Sequence, residues 1–99
     1  GGVHVTEPAA DLPLALAVVS ATTGRQLGDD VVAVGEVGLG GEVRQVTGME
    51  RRLQESHRLG FRRAVIPVAA PDPPPGLEVV RVGTLSEAVL TTGLMPPGS

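Results

Sequence analysis

The sequence predicts a mixed α/β domain in which helices cover a sheet. Residues 31–34 form a continuous apolar run of strand length, whereas residues 10–23 are rich in Ala and Leu, a composition that favours a helix. Segments of these two kinds recur along the chain, and glycine and capping signals separate them. With 99 residues and 41% hydrophobic content, the chain is long enough for one core and too short for a second.

The first elements are a short strand and a helix. Residues 3–6 alternate as a strand does, and residues 10–23 form a largely buried helix that Gly24 closes. Pro13 is compatible with this helix because the N–H groups of a first turn have no partner within the helix.

Residues 31–46 predict a β-hairpin. The buried run at residues 31–34 forms its first strand, and the alternating residues 42–46 form its second. The glycine-rich segment at residues 38–41 supplies the turn, and we expect its glycines to adopt positive φ angles.

The next helix has signals at both ends. Thr47 and Glu50 match the capping box, in which each side chain accepts a backbone N–H of the other residue. We expect the helix to run to Leu59, with Met49 and Leu53 facing inward. After it, Gly60 and Phe61 match a Schellman ending.

The last part of the chain predicts strands at residues 63–67 and 77–82, joined by a stiff proline-rich loop. Thr84 and Glu87 repeat the capping-box pattern and open a final helix that ends near Thr92. We therefore expect a domain at residues 1–92 and a flexible tail at residues 93–99.

The composition excludes several kinds of site. The chain has no Cys, and His4 and His57 lie far apart, so we expect no metal site. Every basic residue is Arg, which excludes a catalytic lysine and the lysine of a P-loop. Phe61 is the single aromatic residue, so no aromatic platform is available for stacking on bases. Neither a membrane-spanning run nor a signal peptide is evident, and we expect a cytoplasmic protein without a membrane partner.

One segment is basic although the whole chain has a net charge of −3. Residues 44–63 carry six arginines and two glutamates. Helical spacing places Arg51, Glu55 and Arg58 on one face. This face is either a solvated surface with local ion pairs, or a surface for DNA phosphates or subunit docking. The candidate nucleic-acid-binding residues are Arg44, Arg51, Arg52, Arg58, Arg62 and Arg63.

The string at residues 34–67, VGEVGLGGEVRQVTGMERRLQESHRLGFRRAVIP, resembles Lon-type proteolytic domains. The resemblance implies a Lon-protease-like, ribosomal protein domain 2-like fold whose N-terminal strands precede this chain. It also implies that Ala9 stands at the position of the serine nucleophile and Glu50 at that of its lysine partner. A methyl group cannot attack an acyl carbon, so we expect no hydrolysis by this dyad. Surface or capping roles are expected for Ser20, Ser56 and Ser86.

Residues 1–12, GGVHVTEPAADL, and residues 48–53, GMERRL, resemble the RadA-type DNA repair proteins in particular. That resemblance spans about residues 1–90 and implies a zinc finger and a RecA-like ATPase elsewhere in the full-length protein, together with hexameric rings and branch migration. ATP, Mg and Zn are implied there, whereas this chain has no CxxC or GK[ST] motif and we expect no cofactor in it. The sequence Asp-Leu-Pro at residues 11–13 instead resembles the Lon-like N-terminal domain of magnesium-chelatase-related transformation proteins. Membership of that group remains an alternative.

We therefore expect a non-catalytic module for ring oligomerisation and for sequence-nonspecific contact with single-stranded or branched DNA, working with the recombinase machinery. The alternatives are an active Lon-type peptidase and an oligomerisation module without DNA contact. We also expect the sheet edge at residues 3–6 to recruit another chain by strand pairing.

Overall fold

The structure is a computed structural model that describes residues 8–95. A 3-10 helix at Pro8–Ala10 is followed by α1 (Asp11–Thr23), β1 (Val31–Ala33), β2 (Glu36–Val37), β3 (Val43–Arg44), α2 (Met49–Arg58), β4 (Arg63–Pro67), β5 (Glu78–Val82) and α3 (Leu85–Thr91). The predicted α/β class is confirmed. The strand predicted at residues 3–6, and the edge pairing expected of it, fall outside the described part of the chain.

The main sheet has three parallel strands in the order β1-β4-β5. Its central strand, β4, contains Ala64, Val65 and Ile66, and each of these residues is fully buried. A central parallel strand is covered on both faces, which explains why this segment is continuously apolar and does not alternate.

The helices form a layer on each side of this sheet. On one face, Leu12 and Leu16 of α1 pack in a cluster with Val65 and with residues of α3. On the opposite face, Leu53 of α2 packs in a second cluster with Ile66. Both Met49 and Leu53 are buried, as predicted from the helical spacing.

The predicted hairpin at residues 31–46 is wrong in its extent. Only β2 and β3 pair as an antiparallel hairpin, and the first apolar run pairs in parallel with β4. The run stays on the main sheet because the Val34 N–H donates to the Val65 carbonyl at 3.0 Å. Gly35 then turns the chain where space is short, since a Cβ there would lie 3.1 Å from the Val43 side chain. Of the turn glycines, Gly41 alone has a positive φ, +87°.

The capping box predicted at Thr47 is also wrong. The residue before α2 is Gly48, with φ +76°, and no side chain within residues 8–95 caps this end of the helix. Because Met49 is the first helical residue, Glu50 is the second and stands one position short of the place from which a capping-box glutamate reaches back.

The other end of α2 follows the prediction. The Phe61 N–H donates to the Ser56 carbonyl at 3.1 Å, and the Gly60 N–H donates to the His57 carbonyl at 3.1 Å. These two bonds are those of a Schellman motif, and Gly60 has the positive φ that the motif requires, +98°.

The connection from β4 to β5 joins two parallel strands without a helix. The Arg81 guanidinium, on β5, holds this proline-rich loop against the sheet. It donates to the carbonyls of Val68 at 3.1 Å, Ala70 at 2.5 Å and Pro71 at 3.3 Å. These bonds satisfy carbonyls that a loop passing over a sheet leaves without strand partners.

The cap of α3 is partly as predicted. The Glu87 N–H donates to the Thr84 hydroxyl at 3.1 Å, but the Glu87 carboxylate accepts the N–H of Gly83 instead of that of Thr84. Leu94, which follows this helix, is fully buried. The core thus extends past residue 92, where the sequence predicts a flexible tail, and residues 96–99 are not among those described.

Candidate functional site

Ala9 lies where α1 starts and is held against the segment that follows β1. The Leu12 N–H donates to the Gly35 carbonyl at 2.9 Å, and the Gly35 N–H donates to the Ala9 carbonyl at 3.4 Å. The Asp11 carboxylate accepts the Val37 N–H at 3.2 Å. Ala9 is 6% exposed, so its backbone and its methyl group are both fixed in position.

A cleft of about 720 Å³ separates this segment from α2. Its first wall is formed by the start of α1 and by β1, and it is apolar. The second wall is formed by α2 and the residues before it, and it is polar. The lining residues are Ala9, Ala10, Pro13, Val32, Ala33, Val34, Thr47, Gly48, Arg51, Arg52, Glu55 and Ser56.

The two positions that the Lon resemblance pairs do not meet in this cleft. Ala9 lines it, whereas Glu50 is exposed on the first turn of α2 and is absent from the described lining residues. Arg51 and Arg52 line the polar wall instead. Among the described residues that line the cleft, two arginines thus face one carboxylate, that of Glu55.

Among the described lining residues, the cleft has two hydroxyl groups, of Thr47 and Ser56, and one carboxylate. Ser56 is buried, and its hydroxyl donates to the Arg52 carbonyl at 2.8 Å, which corrects the expected surface or capping role. The carboxylate on this wall belongs to Glu55, whose pKa is lowered by its hydrogen bonds from Arg58. A lowered pKa makes a carboxylate a weaker proton acceptor.

Three of the six candidate arginines are held by carboxylates. Arg44 lies between Glu36, at 3.6 Å, and Glu42, to which it is hydrogen-bonded. The Arg58 Nε donates to Glu55 at 3.1 Å. Arg63 and Glu78 are register partners on β4 and β5, and their side chains approach to 3.2 Å.

The other three candidates differ in their surroundings. Arg51 and Arg62 are exposed, and within residues 8–95 neither makes a side-chain hydrogen bond or ion pair. Arg51 is on the cleft wall, whereas Arg62 lies beyond the far end of α2 beside Arg63. Arg52 is half-buried and lines both the main cleft and a smaller pocket under the hairpin. The structure thus distributes the arginines over several surfaces.

The described residues contain neither a cluster of metal ligands nor a membrane-spanning helix. No group of three or more His, Cys, Asp or Glu side chains there could hold a metal ion. His57 is exposed and lies beside Gly76. No helix in this part of the chain has both the length and the apolar character needed to cross a membrane.

The part of the sequence that forms this cleft matches a known protein family. The sequence profile described as subunit ChlI of Mg-chelatase matches residues 4–70, which include both walls of the cleft. The chain belongs to this family.

Similarity to proteins named DNA repair protein RadA extends further along the chain. The chain is 47% identical to that of Mycolicibacterium smegmatis over 91 residues, 92% of this chain and 20% of the relative. It is 46% identical to that of Escherichia coli over 91 residues, 90% of this chain and 20% of the relative. It is 40% identical to that of Bacillus subtilis over 95 residues, 93% of this chain and 21% of the relative.

The RadA resemblance inferred from the motifs is therefore confirmed, and the chain spans about a fifth of the length of the curated relatives that it matches. The ChlI profile stops at residue 70, after β4, whereas the RadA similarity covers at least 90% of the chain. The additional part contains β5 and α3. Arg81, which holds the proline-rich loop, lies in this part. The sequence does not single it out, because its partners are the Asp72 carboxylate at 3.5 Å and three backbone carbonyls, and the carbonyls carry no sequence signal.

Proposed function

We propose that the chain is the non-catalytic Lon-like domain of a RadA-type DNA repair protein, and that it contacts the DNA backbone without sequence specificity. The observation that carries this proposal is the state of Arg51 and Arg62, which are exposed and make no ion pair in residues 8–95. An unpaired guanidinium can meet a phosphate without first losing a carboxylate partner. Arg44, Arg58 and Arg63 would each have to exchange a carboxylate for a phosphate.

Salt-dependent binding to single-stranded DNA tests this proposal. We expect Arg51→Gln with Arg62→Gln to weaken binding and to lower the magnitude of the slope of log affinity against log salt by about 1.4, because two phosphate contacts are lost and each contributes about 0.7 on a single strand. Arg44→Gln with Arg63→Gln is the matched control, since it removes the same charge from paired arginines. Equal losses from both double variants, or no binding at low salt by the unmodified chain, would refute the proposed contact.

The proposal of lost catalysis rests on the residues of the cleft. Ala9 has no heteroatom, Glu50 stands outside the lining, and the pKa of Glu55 is lowered. Among residues 8–95, therefore, the cleft offers no nucleophile at the Lon position, and its carboxylate is a weakened base. Incubation of the pure chain with unfolded casein should leave the casein intact. Sustained cleavage that tracks the chain through purification would favour the alternative of an active peptidase.

A second role, self-association, is favoured by α1. This helix has no charged residue after Asp11, and its outer face carries Leu14, 53% exposed, and Val18, 66% exposed. Ala17 and Ala21 are also exposed and complete a stripe at the spacing of one helical face. Such a stripe in water favours burial against another apolar surface, and we propose that a second copy of the chain supplies it.

Sedimentation velocity tests the self-association. The unmodified chain should form dimers or larger species at high concentration, and Leu14→Glu with Val18→Glu should return it to a monomer. Leu59→Glu is the control, because Leu59 is 63% exposed but lies at the end of α2. A strictly monomeric unmodified chain would contradict this role.

The activity of the full-length protein is a further part of this proposal. We propose that a cytoplasmic full-length protein joins this domain to an ATPase with ATP, Mg and Zn sites elsewhere. In that arrangement the domain would support a hexameric ring and guide single-stranded or branched DNA during branch migration with the recombinase machinery. Purified full-length protein should then show ATPase activity that DNA stimulates, and deletion of residues 8–95 should reduce its DNA affinity.

A further inference from the structure

The cleft beside Ala9 has two walls of opposite character. Pro13, Val32 and Val34 belong to the apolar wall, and Thr47 and Arg51 belong to the polar one. Its volume of about 720 Å³ lies within the range of about 300–1,000 Å³ that is typical of clefts for small ligands. A ligand that fits both walls has an apolar or weakly polar part and a negatively charged part.

The charge of the polar wall selects an anion. The Arg51 guanidinium is exposed and has no hydrogen-bond or ion-pair partner in residues 8–95. The acidic group on the same wall, Glu55, is already hydrogen-bonded to Arg58. An incoming anion can therefore meet Arg51 without displacing a carboxylate from it.

The apolar wall exists in part because Ala9 carries no hydroxyl. Its methyl group is buried to 6% exposure and lines the cleft together with aliphatic side chains of β1 and α1. Phe61 does not line the cleft, so a base held there would contact aliphatic groups instead of stacking on a ring. With a methyl group at this position, the wall beside α1 is apolar and suited to contact with a weakly polar group.

We propose that this cleft holds one unstacked nucleotide of a single DNA strand. The base would lie against the wall of Pro13, Val32 and Val34, and the phosphate would lie at Arg51. This inference rests on the proposed DNA contact and deepens it, because it assigns a preference for single strands. A duplex keeps its bases stacked in its interior and cannot present one to a concave wall without paying the cost of flipping it out.

Fluorescence anisotropy with three probes of equal phosphate count tests the inference. The probes are an oligothymidylate of about twelve nucleotides, within the usual site size, the same backbone with abasic sites, and a duplex. We expect the oligothymidylate to bind more tightly than the abasic strand and the duplex at the same salt concentration. Arg51→Gln should weaken its binding about tenfold, the usual cost of one charge-assisted hydrogen bond, and Arg62→Gln, outside the cleft, should weaken it less.

A second variant separates the base contact from the charge. Ala10→Leu adds volume to the apolar wall without a change of charge, and it should abolish the preference for oligothymidylate over the abasic strand while the salt dependence stays the same. Circular dichroism and the thermal midpoint should show that this variant is folded, and if Ala10→Leu does not fold, Val32→Leu on the same wall takes its place.

The outcomes distinguish the two proposals. If the three probes bind equally and Arg51→Gln equals Arg62→Gln, the cleft inference is overturned while DNA backbone contact stands. If none of the probes binds at low salt, both proposals fall. If an unfolded polypeptide such as reduced casein displaces the oligothymidylate at comparable concentration, the cleft is a peptide groove and the nucleotide inference is likewise overturned.

Discussion

The pKa values of two carboxylates, those of the half-buried Glu42 and the exposed Glu55, are lowered in the folded chain. The pKa of Glu42 is lowered first by the hydrogen bond from its own backbone N–H and then by Arg44. The pKa of Glu55 is lowered by its hydrogen bond from Arg58, whose own pKa is raised by the same contact. Each carboxylate is thus better stabilised in its charged form when the chain is folded than when it is unfolded.

The folded chain should therefore lose stability in acid. For a carboxyl whose folded pKa lies below its ordinary value of 4.5, the contribution is present above 4.5 and is lost as pH falls through the lowered value. The urea midpoint, measured from neutral pH to about pH 3, should decrease once the pH falls below 4.5. Glu42→Gln with Glu55→Gln should flatten the decrease, and an unchanged acid slope in this variant would contradict the assignment.

At the scale of the helices, the two capping-box patterns of the sequence have different outcomes. The Thr84 hydroxyl accepts the Glu87 N–H at 3.1 Å, whereas the Thr47 hydroxyl makes no such bond to the start of α2 in the described part of the chain. The local residue types are nearly the same, but Gly48 follows Thr47 and adopts a positive φ in the capping position. One glycine has shifted the start of the helix by a single residue.

Paired substitutions test this difference. Thr84→Ala should lower the free energy of unfolding by about 1 kcal/mol, the usual contribution of a side-chain cap. Thr47→Ala should change it by less than about 0.5 kcal/mol, as is usual for an exposed side chain without a structural contact. Urea unfolding of both variants measures the two values. A loss for Thr47→Ala as large as that for Thr84→Ala would restore the capping box at α2.

The helix ends show why some features are readable from sequence. Gly24 and Gly60 both adopt positive φ after their helices, because the need for a left-handed residue is local and glycine meets it without strain. The sequence predicts the wrong partner for β1, because the adjacent glycine turn favours a hairpin. The true partner is β4, which is distant along the chain. In the same way, the cleft between Ala9 and Arg51 arises from this parallel crossover, and no local pattern specifies it.

At the scale of the molecule, one sheet separates two apolar clusters. Leu16 belongs to the cluster beneath α1 and α3, and Leu53 belongs to the cluster beneath α2. Consecutive residues of β4 point into opposite clusters, with Val65 on the first side and Ile66 on the second. Neither cluster can lose its packing without exposing one face of the same strand, so the two should unfold together.

Truncation on either side of the sheet tests this coupling. Leu16→Ala and Leu53→Ala should each lower the free energy of unfolding by about 2–5 kcal/mol, because both leucines are fully buried and leave a cavity. Circular dichroism should show a single urea transition in each variant, and the dependence on urea should stay close to that of the unmodified chain. Leu59→Ala, at a residue 63% exposed, should have little effect. Two separate transitions in either leucine variant would mean that the layers fold independently, and the cleft between α1 and α2 would then lack the rigid sheet on which its two walls depend.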